Sequence, residues 1–325
     1  MRLGLGEAAR PGTRLRAMMA PGRPLVLPGC YNALTARILE HAGHEALYMT
    51  GYGTSLSLLG LPDAGLITLT EMALNAKLIA SAVRAPVIAD ADTGFGNAVN
   101  TVRTVEEYIR AGLAGMHVED QVAPKRCGHV AGREVIGRDE AVGKLRAAHA
   151  ARQALDPDFI LIARTDARGA QGGSLEEAIA RANLFLEAGA DMAFVEGPAS
   201  TAEIAEVCRR VRGPILYNQT GISPRLSEAE MAGLGIAITI LPGAVLRQTI
   251  MAVHDLAVAM KTQGALAEAE VDARTRTHPL GNLHLFAGFD RIRALETEFL
   301  PAEAQEKYAG TLGHMPETQR QEPRR

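Results

Sequence analysis

The chain has 325 residues, 47% of them hydrophobic, and carries 34 Lys and Arg against 37 Asp and Glu for a net charge of −3. That length buries a large core and suits one catalytic domain with tails, while the scattered cations form no basic stripe that would track a phosphate backbone, so nucleic acid is excluded as a partner. Cys30, Cys127 and Cys208 are odd in number and lack C-x-x-C spacing, which argues against a disulfide framework or a structural zinc and fits a reducing cytoplasm, and no apolar run approaches the roughly 20 residues that span a bilayer.

Residues 1–23 open with Arg2, Arg10, Arg14 and Arg16 against a single acid, Glu7. Without the long apolar run of a secretory signal they read as a surface arm or a first helix, with a transit peptide as the alternative. Short β-rich apolar runs follow at 24–28, 46–50, 86–90, 115–119, 159–164, 192–196, 214–218 and 237–241. Stretches of helical period lie between them at 32–42, 70–83, 99–111, 139–154, 174–188 and 201–211, with Gly43, Gly112 and Gly189 placed to stop three of them. Eight strands alternating with helices predict a (β/α)8 TIM barrel, taken here as residues 24–300 with its C-terminal helices. No G-x-G-x-x-G follows the first strand, which weakens a dinucleotide-binding alternative. The segment 121–137 is longer and richer in Gly and charge than a βα connection needs, which makes it a candidate lid. Beyond Lys261 a helical pattern around 289–299 is expected to pack on the barrel or on a neighbouring subunit, and the polar stretch 301–325 is expected to be a disordered tail.

The polar residues fall where a barrel builds its chemistry. Asp90 and Asp92, Glu119 and Asp120, Arg164 and Asp166, Glu196 and Asn218 sit at or just past the C-terminal ends of strands three to seven. One such acid alone is more often a helix cap, but the set converges on one mouth. Asp90-Ala91-Asp92 is read as two carboxylates on one face of a strand, with Asp63 and Glu119 approaching from neighbouring rim positions. Acids without His or Cys suit a hard cation, Mg2+ or Mn2+, better than zinc, and that ion would supply the counter-charge they need. In the lid candidate, Lys125-Arg126-Cys127-Gly128-His129 sets a thiol beside two cations, which favour thiolate and would tune it for proton transfer near neutral pH. Cys30 and Cys208, in apolar surroundings, read as packing residues, and His41, His149 and His254 as surface or half-buried ones.

Taken in order, Leu59-Gly60-Leu61-Pro62-Asp63, Asp90-Ala91-Asp92-Thr93-Gly94-Phe95-Gly96, Val118-Glu119-Asp120-Gln121, the Lys125 to His129 run and Ala163-Arg164-Thr165-Asp166 closely resemble the isocitrate lyase and phosphoenolpyruvate mutase superfamily, over about residues 28–246. The resemblance implies a barrel whose eighth helix is exchanged between subunits of a dimer of dimers, with Mg2+ at the rim. It implies a metal site of Asp63, Asp90, Asp92 and Glu119, and substrate or transition-state contacts from Tyr48, Thr50, Gly51, Tyr52, Lys125, Cys127, Gly128, His129, Arg164, Glu196 and Asn218. The implied reaction splits the C2–C3 bond of a small 2-hydroxy dicarboxylate, with Cys127 as proton donor. Relatives acting on isocitrate or methylisocitrate carry a small Ser-Gly-Gly-Gly as the carboxylate-binding turn after strand two, where the turn in this chain is Thr50-Gly51-Tyr52-Gly53, and its lid looks more like the 2,3-dimethylmalate lyase and oxaloacetate hydrolase branch. Phosphonate chemistry on the same scaffold and oxaloacetate hydrolysis or decarboxylation are the rival activities. The phosphoenolpyruvate mutase branch lacks the lid cysteine, so Cys127 argues against the first, though it leaves carboxyphosphonate chemistry open. A barrel kept only for binding would have lost the acids or the lid, and this chain has both.

Overall fold

A computed structural model describes residues 9–309 and 311–316. In chain order the elements are α1 (Pro11–Met18), β1 (Leu25–Cys30), α2 (Ala33–His41), β2 (Leu47–Met49), α3 (Gly51–Leu59), α4 (Leu69–Ala82), β3 (Val87–Asp90), α5 (Ala98–Arg110), β4 (Gly115–Glu119), α6 (Arg138–Leu155), β5 (Ile160–Thr165) and α7 (Leu175–Glu187). They continue with β6 (Met192–Val195), α8 (Thr201–Arg210), β7 (Leu216–Asn218), α9 (Glu228–Leu234), β8 (Ile238–Leu241), α10 (Ala244–Gln263), α11 (Leu266–Thr275), α12 (Leu283–Ala287), α13 (Phe289–Phe299) and α14 (Ala302–Gln305). Most helices start where a short polar side chain accepts from the first free backbone N–H groups: Asn32, Thr68, Asn97 and Ser227 form reciprocal capping boxes, and Thr50, Ser174 and Ser200 cap alone.

All eight strands are parallel, in the order β6-β5-β4-β3-β2-β1-β8-β7. A parallel bridge between Ala193 and Ile215, with Ala193 N donating to Pro214 O at 3.0 Å, joins the two ends, so the predicted barrel is what the chain forms. Side chains alternate along each strand. Leu27, Ile88, Ile162, Phe194, Leu216 and Ile240 fill the barrel interior, whereas Met49, Ala89, Val118 and Leu161 pack outward under the helices. Carrying the inward alternation to the strand ends points to Tyr48, Asp90, His117, Glu119, Arg164, Glu196 and Asn218. The interior is therefore apolar below and polar at its C-terminal mouth.

The opposite end is stopped by α1. Its Leu15 is fully buried in the interior cluster, and Thr13 donates to Asp158 (2.5 Å) while Arg10 and Arg16 pair with Asp156 and Asp191 (2.9 and 3.0 Å). The chain divides into two compact units, one ending at Thr249 and one beginning at Ile250. Within the second, Tyr308 and Lys307 both bond Glu296, and Arg293 lies over the Tyr308 ring at 4.0 Å. The helix expected around 289–299 is α13; α14 and a 3-10 turn occupy 302–308, and residues 1–8 and 317–325 lie outside the described part.

Two details depart from the sequence reading. Thr50 to Gly53, read as a turn, is the start of α3, because Thr50 caps it and receives Gly53 N at 3.3 Å. Asp92 is not on a strand: β3 ends at Asp90, and Asp92 sits in a left-handed turn at φ +46, followed by Phe95 at φ +58. Outside bonds hold that turn, from Thr104 Oγ1 to Gly94 O (3.0 Å) and from Lys144 of α6 to Thr93 O.

Candidate active site

One wall of the mouth is anionic. Asp90 accepts from Asp92 N at 2.9 Å through its Oδ1, which lies 3.7 Å from His117 Nδ1; the other ring nitrogen of His117 meets the Tyr48 hydroxyl at 2.8 Å. Ligand atoms of Asp90, His117 and Glu119 all fall within 4.8 Å of one another. Asp63, in the α3–α4 connection, and Asp92 share the Lys125 ammonium, whose Nζ is 2.5 Å from Asp63 Oδ1 and 2.7 Å from Asp92 Oδ1. The four expected metal acids thus form two pairs, one around His117 and one around Lys125. His117, which the sequence reading did not group with these acids, stands among them. It shares the inward side of β4 with Glu119, two residues on, and that alternation was the signal the sequence offered.

Burial dominates the proton affinities here. It pushes Glu119 well above the usual carboxylate range despite Arg164 and Lys125, and it pushes Asp92 up to about 6 against the pull of Lys125. Asp90 is held down at about 2 against its own burial by His117, Lys125 and Arg164. Because burial also keeps the His117 ring neutral above about 4, the two cations carry that effect at neutral pH. Both Glu119 oxygens are buried without a hydrogen bond, and the Arg164 guanidinium stands 3.3 Å from one of them. Crowded, unsatisfied carboxylate oxygens are hard donors, so Asp63, Asp90, Asp92 and Glu119 fit a divalent cation. Gly51 makes room: a Cβ there would lie 2.5 Å from Asp90 Oδ2.

The adjoining wall is built on Arg164 and its buried acid partners. Arg164, at the end of β5, gives Nε and Nη2 to Asp166 (2.9 and 3.0 Å), stands 3.6 Å from Glu196 and lies over the Phe194 ring. Its Asp166 partner is fully buried, and Glu196 accepts from Asn218 Nδ2 at 3.1 Å.

The 121–137 segment folds across the mouth between these walls. Its two ends run side by side, Val122 N donating to Glu134 O and Ile136 N to Asp120 O, each at 2.9 Å, and Gln121 brackets the Arg126 backbone. At its tip Cys127 N donates to Asp63 O at 3.1 Å. Gly128 rests so close to Arg164 and Glu196 that a Cβ would collide with both, and His129 Nε2 is 3.7 Å from Glu196. Burial raises the Cys127 thiol above its ordinary value and outweighs Arg164 and Lys125, so the expected thiolate is corrected to a protonated thiol, the form an acid needs. Burial likewise lifts Cys30 to about 12 and Cys208 to about 11. Of the expected site residues, Tyr48, Thr50, Gly51, Asp63, Asp90, Asp92, Glu119, Lys125, Cys127, Gly128, His129, Arg164, Glu196 and Asn218 gather at this mouth, whereas Tyr52, on α3, is 45% exposed.

A family model described as phosphoenolpyruvate phosphomutase matches residues 15–261, three quarters of the chain. The chain belongs to this family. The 2,3-dimethylmalate lyase of Eubacterium barkeri is 42% identical over 88% of this chain and 97% of its own length. The chloroplastic carboxyvinyl-carboxyphosphonate phosphorylmutase of Arabidopsis thaliana is 40% identical over 91% and 85%. Among solved structures, oxaloacetate acetylhydrolase in complex with 3,3-difluorooxalacetate superposes with a TM-score of 0.82 at 34% identity, covering 90% of this chain and 98% of that one. The chain is an enzyme of the phosphoenolpyruvate mutase/isocitrate lyase superfamily, with the parallel barrel those relatives share. No helix among the described residues is long and apolar enough to cross a membrane.

Proposed function

We propose that this enzyme is a Mg2+-dependent carbon–carbon lyase that splits a substituted 2-hydroxy dicarboxylate, of the 2,3-dimethylmalate or 2-methylisocitrate type, into a 2-oxo acid such as pyruvate and a second carboxylate. The observation that carries the reading is the placement of Cys127, whose backbone N donates to Asp63 O beside the carboxylate cluster, with burial favouring the protonated form of its thiol. The ion, held by Asp63, Asp90, Asp92 and Glu119, with Mn2+ as a substitute, would supply Lewis acidity to the substrate's C1 carboxylate and C2 oxygen. The hydroxyl proton passes to a nearby base at the rim. As the C2–C3 bond breaks its electron pair stays on C3, where conjugation with the departing carboxylate spreads the charge toward Arg164, His129 and Asn218, with Glu196 orienting them. Cys127 then delivers its proton to that carbon. Tyr48, Thr50, Gly51 and Gly128 shape the substrate pocket, and Lys125 holds the metal acids together before the cation enters. A homotetramer built as a dimer of dimers with exchanged eighth helices, working in the cytoplasm, belongs to the same reading.

The likeness to oxaloacetate acetylhydrolase favours a second reading, hydrolysis of oxaloacetate at the same rim. Offering 2,3-dimethylmalate, 2-methylisocitrate, isocitrate and oxaloacetate in parallel with Mg2+ decides between them, with a phosphorus-31 screen alongside for the phosphonate chemistry named in the Arabidopsis relative. Release of a 2-oxo acid that stops with chelator and returns with Mg2+ supports the lyase. Acetate and oxalate from oxaloacetate alone, or a phosphonate product, overturns it.

A further inference from the structure

Arg133 lies near the C-terminal end of the 121–137 segment, where its backbone O accepts from Gln171 N at 2.9 Å. Its side chain, 9% exposed, reaches the connection between β5 and α7: Nη1 donates to Asp166 Oδ1 at 3.2 Å and Nη2 to Gly169 O at 3.4 Å. Asp166 Oδ1 is the same oxygen that receives Arg164 Nη2. Asp166 is fixed from behind, since its backbone N donates to Asp120 Oδ1 (2.9 Å) and Asp120 also takes Thr165 Oγ1 (2.7 Å) and Arg181 (3.1 Å). A fully buried carboxylate therefore stands between one guanidinium on the mouth and another on the segment that covers it.

We propose that Arg133 is a positioning residue that acts through Asp166: by sharing this carboxylate with Arg164 it latches the 121–137 segment over the mouth and sets the Arg164 guanidinium for the leaving carboxylate. The latch is geometric and stands without a substrate; its effect on turnover rests on the lyase reading. Two consequences follow from one contact. Losing Arg133 frees the segment at the end far from Cys127, so the thiol spends more time in solvent. It also returns all of the Asp166 charge to Arg164, which is then less available to an anion.

The test uses Arg133→Met, which keeps bulk and loses the charge, and Arg133→Lys, which keeps one donor able to reach Asp166 without also holding Gly169 O. Full-length wild type and variants are treated with N-ethylmaleimide without substrate, and each cysteine is followed by peptide mass spectrometry. Cys30 and Cys208 serve as internal controls, because general loosening of the fold exposes all three thiols and release of the latch exposes one. Arg133→Met is expected to speed alkylation of Cys127 at least fivefold with Cys30 and Cys208 unchanged, and Arg133→Lys to recover part of the difference. A smaller rise at Cys127 overturns the proposal. Should the Met variant label all three thiols, the Lys variant decides: Cys127 alkylated faster than in wild type with Cys30 and Cys208 unchanged supports the latch, and wild-type rates at all three thiols overturn it. In turnover kcat should fall at least tenfold in Arg133→Met with KM moving less than threefold, since proton delivery needs the closed segment; an unchanged kcat in an active enzyme also overturns it. A wild type that cleaves no hydroxy dicarboxylate, paired with selective Cys127 exposure, removes the proposed reaction and leaves the latch standing.

Discussion

Replacing Gly51 with Ala separates metal binding from folding. Gly51 opens α3, and a methyl there would sit 2.5 Å from Asp90 Oδ2, 2.8 Å from Asp90 Cγ and 3.2 Å from Asp90 Cβ. Relief requires the carboxylate to retreat by about 0.8 Å before contact turns attractive. Asp90 has little freedom to do so, because Oδ1 is tied to Asp92 N and its backbone O receives the Tyr108 hydroxyl at 2.8 Å. Overpacking costs about 1–3 kcal/mol, and the better helix propensity of Ala offsets up to about 1 kcal/mol, leaving a net loss of about 0–3 kcal/mol in stability. Metal sites tolerate only about 0.2 Å of ligand displacement, so affinity should fall at least about tenfold, or roughly 1.4 kcal/mol. Titration calorimetry with Mn2+ and Mg2+, paired with urea unfolding, reads both quantities. Affinity within twofold of wild type in a folded Gly51→Ala variant would refute the placement of Asp90 at the metal.

Cys127→Ser should keep metal and 2-oxo acid binding while losing on the order of a hundredfold or more in C–C cleavage, the usual worth of a positioned acid; unchanged turnover removes the thiol from the mechanism. Because burial raises the Cys127 pKa above 9.0, the proton-bearing form persists through neutral pH and is lost only above that value, so the thiol should impose no fall in kcat between pH 7 and 9. A thiol-dependent drop near pH 7, absent in the serine variant, would contradict the assignment. Leu15→Ala empties a fully buried position at the foot of the barrel and should cost about 2–5 kcal/mol in denaturant unfolding, whereas a loss under 1 kcal/mol would mean that α1 does not stopper the interior. Glu177 is held at about 2 by Arg138 and Arg181, so its contribution to stability is complete above its ordinary 4.5 and fades as pH falls toward 2. Glu177→Gln should flatten the melting temperature across that window, and an unaltered slope would show that the pair contributes nothing.

Much of this was legible because parallel barrels impose two simple periods. Strand alternation and the charged residue closing each strand point to Arg164, Glu196 and Asn218 without any structure, and the same alternation applied backward from Glu119 would have included His117. What escaped were features set by tertiary contact. Gly51 and Gly53 argue against a helix by propensity, yet the Thr50 cap and the room needed beside Asp90 make α3 begin there. The left-handed conformations of Asp92 and Phe95 carry no mark in residues that seldom adopt them, and bonds from Thr104 to Gly94 and from Lys144 to Thr93, spanning 10 and 51 residues, sustain the turn. Cys127 was misjudged for a related reason: its sequence neighbours are cations, but in space Lys125 turns to Asp63 and Asp92, and burial decides the protonation.

The stopper at the foot of the barrel also bears on how the protein is made. Arg16 waits for Asp158, 142 residues later, and β1 waits for β8, Leu25 pairing with Ile238. During synthesis α1 therefore lacks Asp158 until about half of these residues have been translated, and the β8 edge of β1 lacks its partner until nearly three quarters have; contacts this distant in sequence are slow to form. The growing chain holds one whole edge of β1 open until β8 is made, so nascent-chain chaperones that shield apolar segments and open strand edges should engage this stretch.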